Sequence, residues 1–383
     1  MNRLLASLPT TIFETMSRLA VSHGAINLGQ GFPDAPGPED VRHEAAREVL
    51  EGWNQYPPML GLPALRQAVA GHYRRLEGVE LDWEREVVVT SGATEALAAS
   101  LMALIEPGDE VLLFQPLYDA YLPLVRRAGG VPRLVALQPP HWRFDEALLE
   151  EAFTPRTRLV VLNTPHNPGG TILSRDELDL LARFVERHDA RVISDEVWEH
   201  ITFDGRRHAG VLSVPALRRR AVKIGSAGKM FGLTGWKVGF VCAAPELQAT
   251  IARAHQFLTF TTPPNLQAAV AYGLGKKTAF FKAQRDALQA SRDRFAAGLR
   301  EAGFTTLPCS ATYFLNIDLA PLGGIDDVAF CKQMIEEAGV AAIPVSAFYE
   351  EAPVTSVVRF CFAKDDAKLD AAIERLAGFR KRF

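Results

Sequence analysis

Cysteine is scarce in this chain, and no spacing between cysteines suggests a shared role. Four cysteines occur among 383 residues, and no two of them form a Cys-x-x-Cys pair. A disulfide framework needs a denser set, and a typical zinc site needs ligands paired at short spacing. The pattern therefore argues against both, and we expect no bound metal and a reducing, cytoplasmic location.

The chain also lacks an excess of charge and a long apolar run. Lys plus Arg number 42 against 45 for Asp plus Glu, a formal net charge of −3, so charge gives no argument for nucleic-acid binding. The best apolar run, residues 96–105, contains Ser100 and is too short to span a bilayer. The first 20 residues carry Arg3, Glu14 and Arg18, which interrupt any signal-peptide core. We expect neither a nucleic-acid partner nor a membrane partner.

What the chain does contain is an alternation of short apolar runs with helical stretches. The composition is 48% apolar and 23% charged, as in globular proteins, and the length predicts about two domains. The capping box from Ser174 to Glu177 predicts a helix that continues to about His188. Continuous apolar strands between helices favour an α/β fold with a mostly parallel sheet. The predicted strands are residues 86–90, 110–114, 158–162, 191–194, 221–224 and 238–242.

The pattern changes after Pro264. One long helix is predicted over about residues 265–302, and strands at 312–317 and 356–362 with two further helices indicate a smaller α/β domain. The first 30 residues show no sheet partner of their own, so we expect them to pack beside the C-terminal domain. The predicted organisation is an N-terminal segment (1–35), a large domain (36–275) and a small domain (276–383).

Residues with chemical potential follow several of these strands, where ligands of open parallel sheets gather. Residues 91–94 open a helix and could bind a phosphate, or simply form a tight turn. Asp195 ends a buried strand, so its carboxylate needs a cation, a structural ion pair or a helix cap. Lys229 lies among small residues, where a dry pocket would lower its pKa, although a lone lysine is usually solvated.

Two loops add side chains that suit a flat ligand. Tyr118 could lie against a planar ring or belong to the core. Asn167 stands in an Asn-Pro-Gly turn, and its amide could point into a cleft or merely make the turn. His166 is predicted to be a solvated loop residue.

Together these motifs resemble the fold-type-I pyridoxal-5′-phosphate aminotransferases of class I and II. The resemblance runs from about residue 10 to residue 380, and the N-terminal motifs resemble the branch with kynurenine/glutamine transaminases and methionine aminotransferases. It implies a large domain with a mostly parallel seven-stranded sheet and a smaller α/β domain. The motifs are, in order, Thr11-Ile-Phe-Glu14, Asn27-Leu-Gly-Gln-Gly31-Phe-Pro-Asp34, Asn167-Pro168, Asp195, Ser226-Ala-Gly-Lys229, Thr234-Gly-Trp-Lys237 and Val358-Arg359-Phe-Cys-Phe362.

The resemblance also implies a role for each matched residue. Lys229 would bind the cofactor covalently and move the substrate's proton, and Asp195 would keep the pyridine nitrogen protonated. Arg359 would grip the substrate's α-carboxylate, and Tyr56 would reach the phosphate of the neighbouring subunit, which implies a homodimer with shared active sites. The other implied cofactor contacts are Gly92, Ala93, Thr94, Tyr118, Asn167, Trp198, Ser226 and Lys237, and the other implied substrate contacts are Gly31, Asn167, Phe13 and Thr261.

Three positions depart from the usual family pattern. Trp198 stands where a tyrosine is usual, and an indole can donate a hydrogen bond but cannot accept one. Lys237 replaces the usual arginine of the phosphate site, as it does elsewhere in this branch. Phe260-Thr261 stands where kynurenine-type enzymes carry Phe-His, so the substrate preference cannot be transferred from them.

The expected activity is transamination between an L-amino acid and a 2-oxo acid. No matched residue supplies a second arginine, so an apolar, sulfur-containing or aromatic donor is expected over a dicarboxylic one. The alternatives are β-elimination from cysteine S-conjugates and transamination of another amine, such as N-succinyl-diaminopimelate. A cofactor-binding regulator is a further alternative from another class, but we expect no room for the DNA-binding domain that such regulators carry.

Overall fold

A seven-stranded sheet forms the centre of the chain, and a computed structural model describes all residues, 1–383. Its strand order is β2-β8-β7-β6-β5-β3-β4, and β8 alone runs antiparallel to its neighbours. The predicted mostly parallel sheet is therefore confirmed. The strands of this sheet are β2 (Val87–Thr90), β3 (Glu110–Gln115), β4 (Val131–Ala136), β5 (Thr157–Asn163), β6 (Arg191–Asp195), β7 (Ala221–Ser226) and β8 (Gly239–Ala243).

The edge strand β4 is not among the apolar runs that predict strands. Pro132 and Arg133 interrupt its apolar pattern. Proline lacks the N–H that a central strand would need, but an edge strand tolerates it because one side of an edge strand has no partner. The signal for β4 was therefore its position between a helix and a turn rather than its composition.

Helices cover both faces of the sheet and bury two apolar cores. The predicted helix at residues 174–188 is present, with Ser174 as N-cap and the reciprocal Glu177 bond of a capping box. None of the helices is long and apolar enough to cross a bilayer. The helices are α1 (Arg3–Ala6), α2 (Ile12–Ser22), α3 (Glu39–Glu51), α4 (Pro63–Glu77), α5 (Trp83–Glu86), α6 (Gly92–Leu104), α7 (Tyr121–Ala128), α8 (Glu146–Ala152), α9 (Arg175–Arg187), α10 (Ala227–Met230), α11 (Pro245–Leu258), α12 (Pro264–Leu274), α13 (Thr278–Glu301), α14 (Asp327–Ala338) and α15 (Asp366–Arg380).

The prediction of one helix over residues 265–302 is wrong, because α12 and α13 are separate. Gly275 ends α12 and Lys277 takes an extended conformation (ψ 151°) before α13 begins. Glycine is a poor helix former, so a break at this point costs little.

A second, antiparallel sheet follows α13. Its order is β12-β13-β10-β9, built from β9 (Thr305–Thr306), β10 (Phe314–Asp318), β12 (Ile343–Pro344) and β13 (Val357–Cys361). The N-terminal segment does have a sheet partner, contrary to expectation: β1 (Ile26–Asn27) pairs in parallel with β11 (Val340–Ala341). A two-residue strand is too short to show a period in the sequence. The domain boundaries given above remain predictions.

Candidate active site

A cavity of about 170 Å³ lies at the ends of β5, β6 and β7 and the start of α6, and we call it the cofactor cavity. It brings together side chains that are far apart in the sequence but follow neighbouring strands. Ten residues predicted from the sequence line it: Gly92, Ala93, Thr94, Tyr118, Asn167, Asp195, Trp198, Ser226, Lys229 and Lys237.

Asp195 is a buried carboxylate without an ion pair. It ends β6 and is 5% exposed. Its Oδ2 accepts a hydrogen bond from the Tyr121 hydroxyl at 2.6 Å, and its Oδ1 accepts one from the Val197 N–H at 3.3 Å. Burial raises the pKa of Asp195 above its usual value, in spite of these bonds. Such a group is suited to bind a protonated nitrogen that enters the cavity.

Lys229 lies in the short helix α10, immediately after β7. Its Nζ donates to the Gly31 carbonyl at 3.3 Å and to the Tyr313 hydroxyl at 3.2 Å, and it lies 4.7 Å from the centre of the Trp198 ring. Burial lowers the pKa of Lys229 to about 8. A substantial fraction of the amine is therefore neutral, and so nucleophilic, near physiological pH.

The start of α6 and Lys237 form the cationic end of the cavity. The first N–H groups of a helix lack intrahelical partners and attract anions. Gly92 has a left-handed φ of +76°, and a Cβ added there would lie 3.1 Å from Cε and 3.3 Å from Nζ of Lys237. Glycine therefore leaves room for the lysine side chain beside the helix start. Phosphate is the chemical group that such a place binds best.

Arg359 lies in β13 and is 1% exposed, yet no carboxylate pairs with it. Its Nη1 donates to Asn167 Oδ1 at 2.9 Å, its Nη2 donates to the Gly29 carbonyl at 2.9 Å, and its Nε has no partner. Burial lowers the pKa of Arg359 to about 10. The rings of Phe314, Phe13 and Phe348 surround the guanidinium at 3.9, 5.3 and 5.1 Å from their centres.

Five predicted residues do not line this chain's cofactor cavity: Gly31, Phe13, Arg359, Tyr56 and Thr261. Of these, Gly31 contacts Lys229, Arg359 contacts Asn167, and Phe13 packs near Arg359. Tyr56 is 80% exposed, and its ring packs edge-on against Phe260 at 5.7 Å. Thr261 follows Phe260 and lines none of the larger cavities. The pair of loops that carry them meets at the surface.

Tyr121, Asn163 and Tyr313 contact the site, although no motif in the sequence indicated a role for them. Tyr121 and Asn163 follow β3 and β5, so the rule that ligands gather at strand ends could have found them. Tyr313 precedes β10 of the other sheet, and nothing in the sequence links it to Lys229.

The prediction that His166 is solvated is wrong. The ring is buried, its Nε2 lies 3.0 Å from the Pro116 carbonyl, and burial lowers the pKa of His166 to about 4. Its loop turns inward against Trp142, whose ring centre lies 6.5 Å away. A turn motif in the sequence indicates the bend of the chain but not the direction in which the bend faces.

A second set of ionisable groups lies buried near the ends of α4 and β6 and within β7. The Lys223 ammonium pairs with Glu196 at 2.9 Å, with Glu199 at 2.8 Å and with Glu77. His208 adds a contact to Glu196 at 2.6 Å. Burial alone would lower the pKa of Lys223, but the three carboxylates hold it well above its ordinary value. We call these five residues the Lys223 cluster.

The fold and this arrangement define a class of protein, and comparison with known families agrees. The profile of the family "Aminotransferase class I and II" matches residues 23–376, and the chain belongs to that family. It is therefore an aminotransferase that depends on pyridoxal phosphate and moves an amino group between an amino acid and a 2-oxo acid.

Individual relatives are similar over nearly their full length. A methionine aminotransferase of Escherichia coli is 45% identical over 97% of this chain and 96% of its own. A probable N-succinyldiaminopimelate aminotransferase of Mycobacterium tuberculosis is also 45% identical, over 97% of each chain. The crystal structure that identified the Escherichia coli methionine aminotransferase function superposes with a TM-score of 0.96 at 44% identity and covers 99% of both chains.

The residues present fit pyridoxal phosphate. Asp195 has no ion-pair partner, the start of α6 and Lys237 can receive an anion, and the Lys229 amine lies on the wall of the same cavity. Asp195 would bind the ring nitrogen of the cofactor, the start of α6 with Lys237 would bind its phosphate, and Lys229 would bind its aldehyde.

Proposed function

We propose that this aminotransferase prefers L-amino acids whose side chains are apolar, sulfur-containing or aromatic, and passes their amino group to a 2-oxo acid. The observation that carries the proposal is the Arg359 guanidinium, which is buried, lacks a carboxylate partner and is enclosed by three phenylalanine rings. A carboxylate supplies the missing charge, and the rings offer apolar surface to what is attached to it.

In this proposal Arg359 and Asn167 orient the substrate. The guanidinium binds the α-carboxylate with two parallel hydrogen bonds. The hydrogen bond from its Nη1 to Asn167 Oδ1 (2.9 Å) fixes the plane of the guanidinium. Gly31 carries the carbonyl that holds the Lys229 amine, so the backbone at this position borders the substrate. Phe13 and Thr261 are proposed to line the side-chain pocket, Thr261 from the neighbouring subunit.

The remaining residues are proposed to hold and tune the cofactor. When bound, pyridoxal phosphate stabilises the negative charge that develops at the substrate's α-carbon. Asp195 keeps a proton on the ring nitrogen of the cofactor. Lys229 takes a proton from the substrate's α-carbon and delivers it to C4′ of the cofactor. Tyr118 covers one face of the ring, Trp198 donates its indole N–H toward the ring's oxygen, and Asn167 also borders that oxygen. The phosphate is proposed to bind Gly92, Ala93, Thr94, Ser226 and Lys237.

The arginine that lines the cavity around Phe13 and Phe348 already has a carboxylate partner. Arg126 lines a neighbouring cavity of about 570 Å³ that includes Phe13 and Phe348, but it pairs with Glu350 at 2.9 Å. Arg18 lies on α2 beside Glu14, and its side chain is 67% exposed. A dicarboxylic donor would therefore leave a charge without a partner near the aromatic rings, which is unfavourable.

A panel of amino donors tests the preference. With one common 2-oxo acid, we expect kcat/KM for methionine or phenylalanine to exceed that for aspartate and glutamate at least about tenfold, or about 1.4 kcal/mol. N-Succinyl-diaminopimelate belongs in the panel because the Mycobacterium tuberculosis relative is named for it. If aspartate were the best donor, the proposed preference for apolar, sulfur-containing or aromatic side chains would be wrong.

The proposal includes a homodimer with shared active sites. Large apolar side chains lie exposed close in sequence to Tyr56 and to Phe260, which contacts it: Leu50 (84%), Trp53 (76%) and Phe257 (86%). Exposed apolar side chains that form a patch mark interaction surfaces. Tyr56 would reach the phosphate in the neighbouring cofactor cavity. We expect a dimer by sedimentation, and we expect Tyr56→Phe to weaken pyridoxal phosphate binding without dissociating that dimer. A monomer that transaminates at full rate would contradict this.

A cytoplasmic location is also part of the proposal. It is supported by four free cysteines, three of them buried in the core, which a reducing compartment preserves as thiols. Fractionation of cells that express the chain tests the location.

A further inference from the structure

Lys229 forms part of the wall between two cavities. On one side is the cofactor cavity, and on the other is a second cavity of about 360 Å³ between α13 and the loop that contains Pro33 and Pro38. Lys229 lines both cavities, and Tyr313 lines only the second. The lysine amine thus lies at the boundary between the two cavities.

The Tyr313 hydroxyl is built to accept a hydrogen bond from that amine. Its proton is directed to the Gly31 carbonyl at 2.5 Å, so its oxygen lone pairs remain for Lys229 Nζ at 3.2 Å. The ring is 1% exposed and meets Trp198 edge-on at 4.4 Å between ring centres. Packing on this scale fixes the side chain and therefore the position of the hydroxyl.

We propose that Tyr313 is a positioning residue for Lys229: its hydroxyl oxygen and the Gly31 carbonyl hold the lysine amine at a second place whenever that amine is not bonded to the cofactor. The inference rests on the proposed role of Lys229. Trp198 lies beside the amine but its indole cannot accept a hydrogen bond, so the side-chain acceptor there is Tyr313.

The contacts at this second place favour the protonated amine. Both oxygens accept from it, and the face of Trp198 adds a cation–π contact. Burial opposes the charge and lowers the pKa of Lys229 to about 8. The other charged or titratable groups that act on the amine are Asp195 on β6, Cys361 and Arg359 on β13, and Lys237. Removing the Tyr313 oxygen removes one acceptor of the protonated amine but leaves the effect of burial unchanged. The pKa of Lys229 should therefore fall further.

The test uses the apoprotein and measures how fast it recombines with pyridoxal phosphate. In that reaction the neutral amine nitrogen attacks the aldehyde carbon and water leaves, so the rate follows the neutral fraction of Lys229. In the wild type we expect the rate to rise with pH through an apparent pKa near 8. In Tyr313→Phe we expect that apparent pKa to fall by about one unit, the size of one hydrogen bond to a charged group.

A matched control separates this effect from the loss of a buried hydroxyl as such. Tyr349 is also a buried tyrosine that donates to a backbone carbonyl, that of Leu137 at 2.8 Å. Tyr349→Phe should leave the pH profile of recombination unchanged. A profile of Tyr313→Phe identical to that of the wild type overturns the proposal.

Two further variants keep the result unambiguous. If Tyr313→Phe does not fold, 4-fluorophenylalanine at position 313 fills the space of the hydroxyl with a poor acceptor, and an unshifted profile then overturns the proposal. Lys229→Ala should form no covalent adduct that borohydride can trap. An adduct at another lysine would refute the role of Lys229 itself, whereas equal profiles of wild type and Tyr313→Phe would refute only the role of Tyr313.

Discussion

Replacing Arg359 with lysine keeps the positive charge that we propose binds the substrate's α-carboxylate, but it removes the planar guanidinium. The guanidinium uses Nη1 on Asn167 and Nη2 on the Gly29 carbonyl, and its carbon lies 3.9 Å from the centre of the Phe314 ring. An ammonium cannot make two parallel bonds to a carboxylate or stack in this way. Losing one charge-assisted bond of the pair costs about 1.5–3 kcal/mol, so kcat/KM for amino acids should fall about 10- to 150-fold.

The assay compares amino acids with amines that lack the α-carboxylate. Because the lost interaction is with that carboxylate, the decrease should appear for methionine and be absent for the corresponding amine. Arg292→Lys is the matched control: Arg292 is also buried, but it pairs with Asp204 at 2.7 Å and lines none of the cavities described above. It should leave kcat/KM unchanged for both classes of donor.

Two outcomes would refute the reasoning about Arg359. One is an Arg359→Lys enzyme with the wild-type kcat/KM for methionine. The other is an equal loss for the amine and the amino acid, since a general distortion of the site would then explain the decrease.

Two other substitutions probe the carboxylate at the ring nitrogen and the buried charges beside it. Asp195→Asn should fold normally, but an amide does not stabilise the proton on the ring nitrogen. We therefore expect kcat to fall about tenfold for each unit by which the pKa of the ring nitrogen falls. A variant with normal turnover and normal absorbance of the bound cofactor would contradict this. Lys223→Met leaves three buried carboxylates without their cation and should lower the free energy of unfolding of the apoprotein by about 3–5 kcal/mol, measured by urea denaturation against the exposed Lys332→Met. Equal unfolding midpoints for the two lysine variants would mean that the carboxylates are not charged in the folded state.

The sequence predicted the large sheet and most of the cofactor cavity because the relevant signals are local. Asp195, Asn167 and Lys229 each stand just after an apolar run, and parallel strands bring such positions to one edge. The order of the motifs then identified the family.

Other features depend on contacts that no local pattern encodes. The strand β1 is two residues long and pairs with β11 more than 300 residues further on, so neither is visible alone. The buried position of His166 and the bond between Tyr313 and Lys229 depend on how separate loops pack. Tyr56 was expected to serve a neighbouring subunit and Thr261 to contact the substrate, and since neither lines this chain's cofactor cavity, both predictions remain to be tested in the assembled protein.

The Lys223 cluster has a consequence for how this sequence can change over time. Removing Lys223 leaves three buried carboxylates without their cation, whereas replacing the whole set by apolar side chains of similar volume can be nearly neutral. Substitutions at positions 77, 196, 199, 208 and 223 should therefore appear together across related sequences, as an exchange of one complete set for another. Since Glu196 directly follows Asp195, such an exchange would have to preserve the strand end on which the cofactor depends. Libraries that vary these positions singly would meet mostly unfolded proteins, and libraries that vary them jointly would reach the alternatives.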